Sequence, residues 1–317
     1  MLCVSASPLA ACSSRRKAGH VSALPRVTAA QSSHAAEEAS AAPAELTRRG
    51  ALSAAAAAVL LSACHAQPAF AAAVSLPAKV FVAGATGATG RRVVMQLRAA
   101  GVAVRAGARD VKKAQGLGLA LSGAELVHAD VTEGVDALVE AIGDADAVVC
   151  ATGFTPSFNF GKDNAKAVDG VGTKALVDAA KRAGVKRFVL VTSLLTNAPA
   201  VGQAENSNYK FLNALGGILD EKRGAELYLQ ASGLNFTVIR PGGLSNDPPS
   251  VTGNVLTAKA DTFLGLDTDP GRDVSRDSVA AVVVAALGDS AASGKIVEVV
   301  ASPNAPQNPT SRWFTGL

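Results

Sequence analysis

The stretch "KVFVAGATGATGRRVVMQL", residues 79–97, constrains the fold of this chain more than any other. Its first residues are Val- and Phe-rich and end at glycine, as a buried parallel strand does. Its last residues carry Val93, Val94 and Leu97 at the spacing of one helix face. Between the two stand Gly84, Gly87 and Gly90. Glycines let the backbone turn tightly and approach a pyrophosphate, while the first N–H groups of the helix and its positive dipole end attract an anion. The expected cofactor-binding turn is therefore Gly84, Ala85, Thr86, Gly87, Ala88, Thr89 and Gly90; the plain alternative is a tight strand-to-helix turn that holds no ligand. A Walker A loop is excluded, because Arg91 follows Gly90 where Lys-Ser/Thr would be needed.

The same alternation continues along the chain. Apolar runs over 78–84, 102–109, 124–130, 145–153, 185–193 and 234–243 read as strands, separated by helical patterns that include 89–100 and 168–183. A helix over 278–288 and a last strand over 295–301 follow. This order predicts an α/β fold, a doubly wound parallel sheet of Rossmann type with helices on both faces. The prolines and glycine of "LSNDPPSVTGN" read as a loop, and the tail 302–317 as irregular.

The first seventy residues have another character. Residues 1–45 are rich in Ala, Ser, Arg and Pro, with no acid before Glu37, as in an organellar transit peptide. Residues 46–73 repeat the targeting logic: Arg48 and Arg49, then an apolar run, then Ala69-Phe70-Ala71 as an A-x-A-like cleavage site. That run falls short of the ~20 residues that span a bilayer. A transit peptide joined to a twin-arginine segment predicts a chloroplast protein directed to the thylakoid lumen. A single long transit peptide, leaving the protein in the stroma or at the thylakoid, is the alternative, and "LSAC" also resembles a lipid-attachment box. The division expected is thus leader, signal segment, one nucleotide-binding domain over 74–301, and tail.

Removing the leader's six cations and three acids leaves 24 Lys+Arg against 23 Asp+Glu. The basicity belongs mostly to the leader, so no nucleic-acid partner is expected. Within the domain Cys150 stands alone and His128 is the one histidine, which rules out a disulfide framework and supplies a Cys/His metal site poorly. No metal is expected.

Further candidates lie at the carboxyl ends of strands, where ligands bind in such sheets. An NAD-specific fold places an acid at the end of its second strand; here Arg109 stands there, with Lys112 and Lys113 nearby. A guanidinium fork suits a 2′-phosphate, so NADP(H) is expected over NAD(H), against the alternative of a solvated basic loop. Asp130 and Val131 follow the third strand, in position for the adenine, although Asp130 could equally cap a short turn. Thr152 and Gly153 follow the fourth strand and would lie along the cofactor ribose.

With these motifs placed, the chain resembles the atypical short-chain dehydrogenase/reductase superfamily, and within it the NmrA-like group with plastid members. The resemblance runs from Lys79 to about Val300. It rests on "GATGATG", "VDGVGTKALVDAAKRAGVKRFVLVTS", "KRGAELYLQASGLNFTVIRPGGL" and "VSRDSVAAVVVAAL". It implies a Rossmann-type domain that binds NADP(H). It also implies a serine after the fifth strand and a Tyr-x-x-x-Lys pair on the next helix, the tyrosine as general acid/base and the lysine lowering its pKa and holding the ribose. Ser193 matches the serine and Lys222 the lysine, but Ile218 occupies the tyrosine's place, and an alkyl chain moves no proton. "RPGGL", with Pro241, matches the segment that approaches the nicotinamide amide. Ser275 matches a helix N-cap, with Asp277 in the first turn.

Two tyrosines are available as substitutes. Tyr228, six residues past Lys222, points about 240° away around the helix. Tyr209 either reaches the site through a folded-back loop or packs at the helix entrance. Glu226, one turn past Lys222, reads as its intrahelical ion partner. Arg240 could meet a substrate acid or a helix end. The substrate pocket would be lined by the 194–208 and 244–274 loops, which name no substrate. Two functions remain open: an NADP(H)-dependent oxidoreductase with an atypical proton donor and an unknown small-molecule substrate, or a non-catalytic redox sensor or assembly scaffold whose protein partner sits at a thylakoid or envelope surface.

Overall fold

The computed structural model describes residues 75–154, 164–214 and 216–317. Contacts divide the chain into Met1–Gln67 and Pro68–Leu317, and the described residues all belong to the second unit. The leader expectations over 1–45 and 46–73 lie outside them.

The sheet has eight strands. In chain order these are β1 (Lys79–Ala83), β2 (Ala103–Ala108), β3 (Glu125–His128), β4 (Ala147–Cys150), β5 (Arg187–Val191), β6 (Phe236–Pro241), β8 (Asn254–Lys259) and β10 (Lys295–Ser302). Their spatial order is β3-β2-β1-β4-β5-β6-β10-β8, so the order reverses between β1 and β4, the crevice where a doubly wound sheet binds its ligand. Neighbours pair in parallel except at the edge, where β8 runs antiparallel to β10 with Val300 opposite Leu256. Strands β4 and β5, "AVVC" and "RFVLV", are buried throughout, as the continuous apolar runs predict.

Helices α1 (Gly90–Ala99) and α8 (Arg276–Gly288) pack together on one face of the sheet, with Val93, Val94 and Leu97 of α1 buried beside Val279 and Val283 of α8. On the other face lie α3 (Val135–Ile142) and α4 (Thr173–Arg182), whose Leu138 and Leu176 share a core with Phe81, Val148 and Phe188. Short α2 (Val111–Gly116) follows β2, and α5 (Ser207–Asn213) and α6 (Ile218–Ala231) precede β6.

Besides the edge strand β8, which the sequence reading did not mark, three features depart from it. The segment expected as one helix over 168–183 opens with a π-helical turn, Lys166–Gly172, before α4 begins. The stretch read as a loop, 244–254, holds part of β7 (Gly243–Ser245) and all of α7 (Pro249–Thr252), and β7 pairs with β9 (Asp273–Ser275) in a separate two-stranded sheet. The tail does not extend the sheet, yet its Trp313 and Phe314 are buried in the core beneath α8.

Candidate functional site

The glycine-rich turn is built by contacts that exclude side chains. Gly84 has φ +75°, and a Cβ there would lie 2.8 Å from the Ala151 carbonyl oxygen at the end of β4. At Gly90 a Cβ would lie 2.2 Å from the Gly84 oxygen, so helix α1 starts pressed against the end of β1. Gly87 N donates to Gly84 O at 3.0 Å, and Arg91 N to Gly87 O at 3.0 Å. The amides of Thr86, Ala88, Thr89 and Gly90 have no acceptor among the described residues, and Thr89 makes no side-chain cap. Free N–H groups clustered at a helix N-terminus fit the oxygens of a diphosphate.

Arg109 is exposed directly after β2. Asp110 caps α2 by accepting from Lys113 N at 2.9 Å. Asp130 does the work of the turn cap: its Oδ1 accepts from Thr132 N at 2.9 Å and from Thr132 Oγ1 at 2.8 Å. Val131 beside it lines a groove of about 320 Å³ together with Ala167, Val171 and Ala175, an apolar surface of the kind a flat base stacks on.

Between β4 and α6 the structure brings together Thr152, Gly153, Lys222 and a residue the sequence reading did not single out, Asp169. Lys222 Nζ donates to Asp169 Oδ1 at 2.7 Å, and Asp169 Oδ2 accepts from Phe154 N at 3.1 Å. The two side chains are 13% and 1% exposed. A Cβ on Gly153 would sit 3.7 Å from the Lys222 ammonium, so the lysine lies against the backbone after β4. Asp169 belongs to the π-helical turn, a deviation that recurs at functional sites. The acid at position 169, inside an apolar helical pattern, was the one available signal. Burial raises the thiol of Cys150, and Thr152 Oγ1 lies 3.2 Å from its Sγ.

The expected Lys222–Glu226 pair is not formed. Glu226 is fully buried and turned to the sheet: its carboxylate accepts from Arg240 Nε at 3.0 Å and Arg240 Nη2 at 2.7 Å. It also accepts from Thr192 Oγ1 at 2.7 Å, from Thr196 Oγ1 at 3.1 Å and from Arg223 Nη1 at 3.1 Å. An exposed i,i+4 pair is worth a few tenths of a kcal/mol, whereas Arg240, 1% exposed, would be left with a buried charge poorly matched. The stronger demand fixes the rotamer. Arg240 also donates to Asp261 Oδ1 at 2.8 Å and lies 3.5 Å from Glu298 Oε1, so it meets neither a substrate acid nor a helix end. Desolvation works against its charge, but the hydrogen bonds and charges of Glu226 and Asp261 prevail and raise its pKa. Glu298 is cupped by the N–H groups of Asp261, Thr262 and Phe263, at 2.8, 2.9 and 2.7 Å; burial nonetheless raises its pKa.

Ile218 is the first residue of α6, 9% exposed, after Gly217 in the left-handed region. Tyr209 packs in the small core of Leu195, Leu219 and Phe263, and its hydroxyl donates to Asp220 Oδ1 at 2.6 Å. Burial and that hydrogen bond push its pKa up to about 12, which suits neither proton donation nor acceptance near neutrality. Tyr228 donates to Asp178 Oδ1 at 2.8 Å, away from Lys222. Ser275 caps α8 by accepting from Asp277 N at 3.2 Å.

Ser193 and Pro241 line a cleft of about 600 Å³ with Leu194, Leu195, Phe211 and Leu244, drawn from the expected loops and from α5. The Ser193 hydroxyl has no hydrogen-bond partner among the described residues. Leu195 holds φ +66°, a costly conformation for a leucine, between Leu194 N donating to Pro241 O at 2.9 Å and Thr196 bound to Glu226.

A family model described as NAD(P)H-binding matches residues 84–290, from the glycine-rich turn through α8. The chain belongs to that family. An uncharacterized chloroplastic protein of Arabidopsis thaliana is 50% identical, over 75% of this chain and 82% of its own length. The chloroplastic protein TIC 62 of Pisum sativum is 37% identical over 75% of this chain, but only 46% of TIC 62 is spanned. A solved structure from Bacillus halodurans, named for an NAD-dependent epimerase/dehydratase, superposes with a TM-score of 0.61 at 28% identity, covering 77% of this chain and all of that one. The resemblance read from the motifs therefore stands at the level of family and fold.

Proposed function

We propose that this NAD(P)H-binding protein is an NADP(H)-dependent oxidoreductase of a plastid that works without the tyrosine usual in short-chain dehydrogenases. The observation that carries this reading is the Lys222–Asp169 pair, seated against Gly153 while Ile218 stands one turn before it. The turn from Gly84 to Gly90 offers its free amides to the diphosphate, Arg109 its fork to the 2′-phosphate, and Val131 an apolar side to the adenine. Lys222 donates to the ribose hydroxyls, using ammonium hydrogens that Asp169 leaves available. Pro241 brings backbone toward the nicotinamide amide. The bound nicotinamide supplies hydride chemistry at the cleft, where Ser193 polarises a substrate carbonyl by hydrogen bonding. With Ile218 in place of a phenol, the proton comes from water or from the substrate. The chloroplast names of the relatives and the leader composition support the plastid address, and the twin-arginine segment supports the thylakoid lumen.

A second reading is favoured by Ile218 itself. A protein that binds NADP(H) and lacks the proton donor suits a redox sensor or assembly scaffold, in which cofactor occupancy changes the affinity for a protein partner.

Fluorescence titration of the purified protein with NADPH and NADH tests the common part: tighter binding of NADPH is expected, and binding of neither removes both readings. A carbonyl panel read with NADPH then separates them. Turnover lost on Ser193→Ala and Lys222→Ala supports the enzyme; no turnover on any carbonyl, with intact NADPH binding, supports the sensor.

A further inference from the structure

Arg276 is the first residue of α8 and lines the cleft, and among the described residues no acid forms a salt bridge with it. Among the described residues its Nη1 donates only to neutral acceptors, Leu244 O at 2.9 Å and Asn246 Oδ1 at 3.1 Å. Its neighbours Arg92 and Arg91 are cations; burial, then their charges, pulls its proton affinity down. The salt link nearby does not relieve it, because Asp277 is engaged by Arg92 Nε at 3.1 Å. Arg272, also in the cleft, pairs with Asp267 at 2.7 Å on the surface, and Asp273 is the single acid in the lining. With Arg272 already matched by Asp267, Arg276 is the cleft guanidinium that no described carboxylate holds in a salt bridge.

Apart from Asn208 and Ser193, the rest of the lining is apolar side chains and glycine. Leu194, Leu195 and Pro241 form buried walls, and two large apolar side chains stay in water at the mouth, Phe211 at 68% and Leu244 at 37% exposure. Exposed apolar side chains that rim a concave site mark a surface that a ligand covers. The Ser193 hydroxyl, which has no partner among the described residues, lines the same cleft.

We propose that the cleft binds an apolar, ring-sized carbonyl compound carrying an acidic group, with its carbonyl at Ser193, its body between Phe211 and Leu244, and its anion at Arg276. This rests on the oxidoreductase reading for the role of the carbonyl, but the recognition of an apolar anion does not depend on it. Carboxylate and phosphate share the chemistry that Arg276 recognises, so the cofactor diphosphate is the competing source of that anion.

The test is isothermal titration of the full chain with 6-formyl-2-naphthoate and with its uncharged methyl ester, in the presence and absence of NADP+. The acid is expected to bind about tenfold more tightly than the ester, and Arg276→Gln to remove that preference while the ester and NADP+ bind as before. Arg276→Lys should restore part of the preference, and Phe211→Ala should weaken acid and ester alike. Equal binding of acid and ester by the unaltered chain, or no binding of either, overturns the proposal. So does an Arg276→Gln variant that loses NADP+ and keeps the acid preference, which assigns Arg276 to the diphosphate. A chain that binds no NADP+ yet still prefers the acid retains the proposal and removes only the cofactor reading. Thermal melting of each variant confirms that the fold is kept.

Discussion

Lys222 Nζ lies 2.7 Å from Asp169 Oδ1, joining helix α6 to a π-helical turn 53 residues earlier in the chain. Each of the two long-range partners restrains the other: the lysine cannot swing to solvent, and the buried acid is not left unpaired.

That coupling predicts a non-additive pair. Lys222→Ala leaves Asp169 buried beside an emptied position, a loss of about 3 kcal/mol. Asp169→Asn should weaken NADPH binding about tenfold by releasing the lysine. In a double-mutant cycle read by urea unfolding, the two changes together should cost clearly less than their sum. Additive losses would show that the pair is not an interaction of the folded protein.

Glu226→Ala should cost about 3–5 kcal/mol, because it takes the two-point partner from the buried Arg240 guanidinium, leaving it Asp261 and Glu298, and leaves the Thr192 and Thr196 hydroxyls without their acceptor. Had Glu226 been the surface partner of Lys222, the loss would be about 0.3 kcal/mol. Chemical denaturation distinguishes the two by an order of magnitude.

Tyr209 gives a pH prediction that two tyrosines make readable. Burial and Asp220 raise its pKa from 10.0 to about 12, so the folded state keeps its proton longer than the unfolded chain does. Its contribution to stability is full below pH 10 and is lost as pH rises toward 12. Tyr209→Phe should flatten that alkaline loss and leave any carbonyl reduction at neutral pH unchanged. Phenolate absorbance, followed against pH in the folded protein, should show a titration near 12 that this substitution removes, while Tyr228, itself raised by its hydrogen bond to Asp178, goes on titrating.

Arg109→Ala should weaken NADPH binding by about 10- to 100-fold and leave NADH binding nearly as it was. Parallel loss for both cofactors would mean that the residue supports the loop and does not read the phosphate.

Much of the sheet was legible because its inner strands are buried on both faces. "AVVC" and "RFVLV" have no solvent side to break the apolar run, and Gly84 and Gly90 of the first turn have no room for a side chain. The edge strand β8, "NVLTAK", is half-buried along most of its length, and its mixture of polar and apolar residues resembles a loop. Three-residue β7 and β9 are too short to show a period. In the site the limit was distance along the chain. Spacing of four residues suggested Glu226 to Lys222, while the true partners, Asp169 for one and Arg240 for the other, come from separate elements. A buried Arg240 with more than one acid in reach cannot be read from "IRPGG".

The two threonine hydroxyls that reach Glu226, from either side of Ser193, have a practical meaning for anyone reshaping the cleft. They suture the serine's loop to the same helix that carries Lys222, so the placing of serine against lysine does not depend on the length of chain beyond Asn197. Substitutions at Phe211, Leu212 and Leu244 can enlarge or close the mouth while the inner geometry stays as it is, and the diversity of ligands that such a scaffold can accept is set at its rim.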